Sequence, residues 1–174
     1  MILGIVGQGF VGNAVYQKFK NYYEVKTFDL DSSKANSTFE EVSECDYVFV
    51  CLPTPMNSDG SCNTDIVEGV IKQLDSIGKT KGIVVKSTIP PGTTEKWNEK
   101  YNTNVIFNPE FLTERNAVSD YENQNRIILG GPRPTSTELK QVFSKVFPKA
   151  HIIKTNSTYA EMVKYTTNTF LSVK

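Results

Sequence analysis

The chain has 174 residues, 39% hydrophobic and 22% charged, enough for one to one-and-a-half domains with a real core. Its 19 basic side chains balance 19 acidic ones, so neither nucleic acid nor an anionic membrane has an electrostatic claim on it. No stretch approaches the ~20 apolar residues of a membrane span, and no basic n-region precedes Met1 to Val6, which predicts a cytoplasmic protein.

The first apolar run, Ile2 to Val6, leads into Gly7-Gln8-Gly9-Phe10-Val11-Gly12 and a helical pattern over Val11 to Lys20. Each glycine of this G-x-G-x-x-G has its own steric task. Gly7 permits the tight turn, Gly9 lets a pyrophosphate approach the backbone, and Gly12 lets helix and strand pack closely. With Phe10 and Val11 opening the helix, its unpaired N–H groups and positive dipole end suit phosphate.

The second run, Glu24 to Asp29, ends on an acid 17 residues past Gly12. A carboxylate there can accept from both ribose hydroxyls and would repel a 2′-phosphate, which favours NAD over NADP. Lys34 lies close enough to cover the adenine or neutralise phosphate. The third run, Tyr47 to Leu52, meets Pro53-Thr54-Pro55. Two prolines stiffen that loop and can hold the Thr54 hydroxyl against a ligand. Cys45, Cys51 and Cys62 are odd in number and lack metal-ligand spacing. They read as reduced thiols, Cys51 in a buried strand, and no metal site is expected.

Asn63-Thr64-Asp65 offers capping side chains to a helix from Asp65 to Ile77, which Gly78 closes. The run Gly82 to Lys86 passes into Ser87-Thr88-Ile89-Pro90-Pro91-Gly92, again placing hydroxyls at a strand's carboxyl end. Lys86 is the odd residue, because lysine is rarely buried without a partner. A helical pattern over Thr93 to Tyr101 and a strand over Asn104 to Phe107 follow. Next, Asn108-Pro109-Glu110-Phe111-Leu112-Thr113-Glu114 carries two carboxylates four residues apart. If that segment is helical the two share a face, one as general base and the other toward cofactor or sugar. As isolated residues they also read as two exposed glutamates.

The remaining elements are strands at Arg126 to Leu129 and His151 to Ile153, and helices at Thr135 to Phe147 and Ser157 to Lys174. His151, the single histidine, opens a strand away from other ligands. It reads as structural, which excludes a histidine metal site or a Ser-His-Asp triad built from this chain alone. Phe170, Leu171 and Val173 are still periodic at the end, with no C-cap, which predicts a chain cut from a longer one. Continuous apolar strands alternating with helices define the fold class: α/β, a Rossmann-type doubly wound, mostly parallel sheet with helices on both faces.

Taken in order, Gly7 to Gly12, Asp29, Pro53-Thr54-Pro55, Asp59-Gly60, Lys86-Ser87-Thr88, Asn108 to Leu112, Arg126 to Gly130 and Ala160 to Lys174 resemble the UDP-glucose/GDP-mannose 6-dehydrogenase family. That family oxidises a sugar C6 alcohol to a carboxylate in two NAD-dependent steps, through a cysteine thiohemiacetal and thioester. The resemblance implies residues 1–155 as the NAD-binding domain and 156–174 as the start of the connecting, dimerising helix. It gives Glu110 the role of base or water-orienting carboxylate, and the backbone of Phe111 and Leu112 a hold on the sugar nucleotide. Glu114 would lie close to the nicotinamide. Thr88 would order water and cofactor, with Ser87, Pro53 and Thr54 in the cofactor loops. Lys164 and Asn168, one helical turn apart, would stabilise the developing oxyanion and contact substrate.

The family's nucleophilic cysteine lies in a glycine-rich loop of a second half that has no counterpart in these residues, and none of the three cysteines takes its place. The loop departs from the family at or near Asn116, where glycine is usual. The resemblance further implies a UDP-glucose-like substrate and a homodimer in the full-length form. Two other readings stand beside it: a β-hydroxyacid-dehydrogenase-like oxidoreductase domain, and a non-catalytic NAD-binding module.

Overall fold

The seven apolar runs form one sheet in a computed structural model that describes residues 1–173. The strands are β1 (Ile2–Val6), β2 (Glu24–Phe28), β3 (Tyr47–Val50), β4 (Gly82–Val85), β5 (Val105–Phe107), β6 (Arg126–Gly130) and β7 (His151–Thr155). Their order across the sheet is β2-β1-β3-β4-β5-β6-β7. β1 to β5 are parallel, as are β6 and β7, while β5 and β6 meet antiparallel at the single pair Phe107 and Gly130. The chain leaves β1 in one direction and returns past it to β3, so a crevice opens between the carboxyl ends of these two strands. Open α/β sheets bind ligands at such a reversal.

Three strands end earlier than the sequence predicts, at Phe28, Val50 and Val85 rather than Asp29, Leu52 and Lys86. The backbone nevertheless stays tied past the ends of β3, β4 and β5. Cys51 N donates to Val6 O at 2.8 Å, Lys86 N to Val50 O at 3.0 Å, and Asn108 N to Val85 O at 2.9 Å. Each strand thus delivers its next residue to the rim of the crevice in a fixed direction.

Helices cover both faces: α1 (Phe10–Phe19), α2 (Phe39–Ser43), α3 (Asp65–Ile77), α4 (Thr93–Lys100), α5 (Ala117–Glu122), α6 (Thr135–Val146) and α7 (Ser157–Val173). The helix at the end was expected to reach Lys174, which lies outside the described residues. Strand alternation sorts the core into two layers. Leu3, Ile5, Tyr47 and Phe49 face α1, α5 and α6, where Phe19 packs its ring 5.3 Å from Phe49 and 5.4 Å from Phe143. Val6, Val48, Val50, Ile83 and Val85 face Val67, Ile71 and Leu74 of α3 and Trp97 of α4.

Sequence periodicity does not find α2 or α5, because helices of five and six residues hold less than two turns. What builds α2 is local: Thr38 Oγ1 accepts from Glu41 N at 3.2 Å while Glu41 Oε2 accepts from Thr38 N at 2.8 Å, a complete capping box. At α3 the N-cap is Thr64, with no side-chain cap bond of its own; Asn63, just before it, accepts from Asp65 N through Oδ1 at 2.9 Å, and Gly78 closes the helix at φ +64°.

Candidate active site

Asn108 to Thr113 is an irregular loop and only Glu114 to Asn116 forms a 3-10 turn, so the conditional helix over the two glutamates does not form. Pro109 removes a donor, and the Glu110 carboxylate curls back to accept from Leu112 N at 2.7 Å. The two acids therefore part. Glu110 turns into the main cleft, while Glu114 is exposed beside a shallower depression shared with Phe10 and Asn13. Asn116 has φ −120°, outside the left-handed region, so its backbone has no need of glycine.

The main cleft encloses about 550 Å³ along the crevice between β1 and β3. One end is formed by Asp29, Leu30 and Lys34, the middle by Gly7, Gly9, Phe10 and Val11, and the far end by Cys51, Lys86, Ser87, Thr88 and Glu110. Pro53 and Thr54 line it from the β3 loop, and Ile66 and Val70 of α3 form an apolar wall. Periodicity along α3 could have picked out that wall, since these two residues are one turn apart.

Each glycine performs a different steric task. Gly7 has φ +93°, and a Cβ there would strike the Cys51 carbonyl. At Gly12 a Cβ would strike the Gly7 carbonyl, so the close approach of α1 to β1 requires the bare backbone. A Cβ at Gly9 would meet no protein atom within 4 Å. The space it leaves belongs to the cleft. Gly9 is the N-cap of α1 with no side-chain cap, so the first N–H donors of the helix are free for an anion.

Asp29 is held beside that loop. Its Oδ2 accepts from Gln8 N at 2.6 Å and its Oδ1 from Asp31 N at 2.9 Å, which leaves further lone pairs for ribose hydroxyls. Lys34 lines the same end and pairs with Asp31 at 3.3 Å in an exposed contact. The two hydroxyl loops are stitched together. Thr54 Oγ1 donates to Thr88 O at 2.7 Å, and Ser87 Oγ accepts from Leu52 N at 3.0 Å. This donor set fits a dinucleotide: amides for a pyrophosphate, a carboxylate for a ribose, an apolar wall for rings.

At the far end two buried lysines converge. Lys164, 4% exposed on α7, reaches Glu110 Oε1 at 2.8 Å and the Glu110 carbonyl at 2.6 Å, with its ammonium 5.5 Å from the Phe111 ring. Asn168, one turn further, is exposed. Lys86, 2% exposed, donates to Asn108 Oδ1 at 2.8 Å and sits 5.2 Å from the Tyr121 ring centre. Burial pushes its amine down to about 8. The Cys51 thiol beside it is pushed up to about 12, also by burial, which makes it a poor nucleophile. His151 is exposed at the start of β7, and among the described residues no group of three His, Cys, Asp or Glu side chains could hold a metal.

Sequence reasoning missed Glu161. It is fully buried on α7, and its carboxylate accepts from Gly92 N at 2.6 Å, Thr94 N at 2.8 Å and Thr94 Oγ1 at 2.6 Å. It caps the N-terminus of α4 from another helix and fixes α7 one turn before Lys164. An acid on the apolar side of a helix pattern was the available signal.

A cleft built in this way, at the reversal of a parallel sheet, defines a dinucleotide-binding domain of the dehydrogenase class. Comparison with known proteins sharpens this. The model of the UDP-glucose/GDP-mannose dehydrogenase family, NAD binding domain, matches residues 25–151. The chain belongs to that family, and its cofactor is NAD. It is 29% identical to a UDP-glucose 6-dehydrogenase of Campylobacter jejuni, across the whole chain and 53% of that protein. It is 30% identical to UDP-glucose 6-dehydrogenase TuaD of Bacillus subtilis, across 87% of this chain and 34% of that one. The solved UDP-glucose dehydrogenase of Pyrobaculum islandicum matches with a TM-score of 0.84 and 26% identity, over 98% of this chain and 49% of its own. The chain thus spans about half, or less, of the length of these relatives. Among the described residues no helix is long and apolar enough to cross a membrane.

Proposed function

We propose that this chain forms the NAD-binding half of a nucleotide-sugar 6-dehydrogenase of the UDP-glucose type, which oxidises a sugar C6 alcohol to the carboxylate. The observation that carries this reading is the Lys164–Glu110 ion pair, buried at the end of the cleft away from Asp29. When bound, NAD would supply the hydride acceptor. Gly7, Gly9, Phe10, Val11 and Gly12 would hold its pyrophosphate, Asp29 and Lys34 its adenosine end, and Pro53, Thr54, Ser87 and Thr88 its other end.

Glu110 takes or relays the proton of the substrate hydroxyl, and Thr88 orders water beside it. The Lys164 ammonium, with Asn168 one turn away, stabilises the oxyanion that forms when this proton leaves. A charge so placed lowers a barrier by roughly 3 kcal/mol. The backbone of Phe111 and Leu112 would hold the sugar nucleotide, and Glu114, exposed beside the neighbouring depression, would be the acid nearer the nicotinamide. In this reading residues 156–174 begin a connecting helix. The exposed Phe170, Leu171 and Val173 contribute to a homodimer of the full-length form, and the protein works in the cytoplasm on a soluble nucleotide substrate.

No cysteine of this chain suits the thioester step, so NAD binding without four-electron turnover is the expected behaviour. Calorimetry with NAD, followed by an NADH-formation assay with UDP-glucose and with small β-hydroxyacids, tests this. Oxidation of UDP-glucose to the acid by this chain alone would contradict the missing-nucleophile account. Turnover of a β-hydroxyacid would move the protein to another substrate class.

A further inference from the structure

Both lysines at the far end of the cleft are buried, but only one is neutralised. Lys164 has Glu110 at 2.8 Å. Among the described residues the partners of Lys86 are uncharged: Asn108 Oδ1 at 2.8 Å, the Asn108 carbonyl at 3.3 Å, and the face of Tyr121. The charged and titratable groups around it are Glu110 from the β5 loop, Lys164 from α7, Cys51 from the end of β3 and Tyr121 from α5. Glu110 and Lys164 cancel, and the thiol and phenol are neutral at physiological pH because burial raises both. One positive charge is left over.

The position of that charge follows from the order along the cleft. The glycine loop takes the pyrophosphate and Asp29 the adenosine ribose, so the end lined by Cys51, Lys86 and Thr88 receives the nicotinamide. The oxidised ring carries a positive charge that the reduced ring lacks. We infer that Lys86 is the residue by which this cleft discriminates between the two cofactor forms, its ammonium weakening the hold on NAD⁺ relative to NADH. An ammonium that disfavours the charged ring also makes the bound oxidant more eager for a hydride, the direction an alcohol oxidation needs. The inference rests on the cofactor assignment above and adds to it a charge-specific role for a residue not otherwise engaged.

Burial holds the Lys86 amine near 8, so the charge is present at neutral pH and lost within reach of experiment. The test measures dissociation constants for NAD⁺ and NADH with this chain, with Lys86→Met and with Lys86→Arg, at pH 7.0 and 9.5. The ratio of the two constants cancels the shared adenosine contacts and any uniform loss of affinity. At pH 7.0 the ratio of the NAD⁺ constant to the NADH constant is expected to fall about tenfold in Lys86→Met and to persist in Lys86→Arg. At pH 9.5 the unmodified chain should approach the Met variant, while the Arg variant stays put. If the Met variant does not fold, the pH change in the unmodified chain decides alone. A ratio that moves neither with pH nor with Lys86→Met overturns the inference while leaving the cofactor assignment intact. Failure of the unmodified chain to bind either form overturns both.

Discussion

Gly9 and Gly12 stand one turn apart and are glycines for different reasons. A methyl group at Gly12 meets the Gly7 carbonyl, so Gly12→Ala must push α1 off β1. A loss of about 2–4 kcal/mol in urea unfolding is expected. At Gly9 the backbone has φ −66° and a methyl group meets no protein atom. Gly9→Ala should leave stability within about 1 kcal/mol but weaken NAD binding roughly tenfold or more, read by calorimetry, because the methyl intrudes where the phosphates lie. The motif was legible in sequence, and so was the oddity of Lys86. Its partners were not, since Asn108 and Tyr121 reach it from a neighbouring strand and a helix too short to show a period.

The low basicity of Lys86 has a stability counterpart. Its folded-state value, about 8, lies below the ordinary 10.5, so between these values the unfolded chain binds more protons and stability rises with pH. Below pH 8 the full cost of the buried charge is present. From pH 8 to 10.5 the urea midpoint of the unmodified chain should therefore rise relative to that of Lys86→Met, by about 3 kcal/mol in stability. A constant difference across that range would show that folding does not lower the proton affinity of the amine.

At the scale of elements, the strands were readable because β3 and β4 are buried on both faces and so carry unbroken apolar runs. Their ends were misjudged by one or two residues, where the backbone leaves the sheet yet keeps its hydrogen bonds. The loop from Asn108 to Thr113 offered helix-compatible spacing, but its shape comes from Pro109 and from the Glu110 carboxylate folding onto its own backbone. Glu161 on the apolar side of the α7 pattern signals a docking acid, but its partner was not legible, because it is the start of another helix nearly seventy residues away. Glu161→Ala would strand the buried N–H of Thr94 and the half-buried N–H of Gly92. A cost of about 2–4 kcal/mol follows, seen as a lowered melting temperature. Glu95→Ala, which removes only an exposed contact with Thr158, should cost under about 0.5 kcal/mol.

For the whole molecule, the aromatic knot around Phe19 ties α1, α5 and α6 to the sheet. Phe19→Ala should cost about 3–5 kcal/mol in equilibrium unfolding. The fold class and most of the cleft could be read from the order of motifs, whereas the antiparallel meeting of β5 and β6 could not, since it depends on one residue pair. That junction has a consequence for motion. Besides the Phe107–Gly130 pair, the Asn108 side-chain amide crosses it by donating to Ile128 O at 2.8 Å, and its oxygen accepts from Lys86. One planar group thus clasps the sheet's thinnest joint with one hand and the cleft's spare cation with the other. Breathing of the β6–β7 flank would tug on the side-chain oxygen that accepts from that cation. Amide exchange along Arg126–Gly130 should therefore register whether Lys86 is protonated, although no backbone group there borders the cofactor cleft.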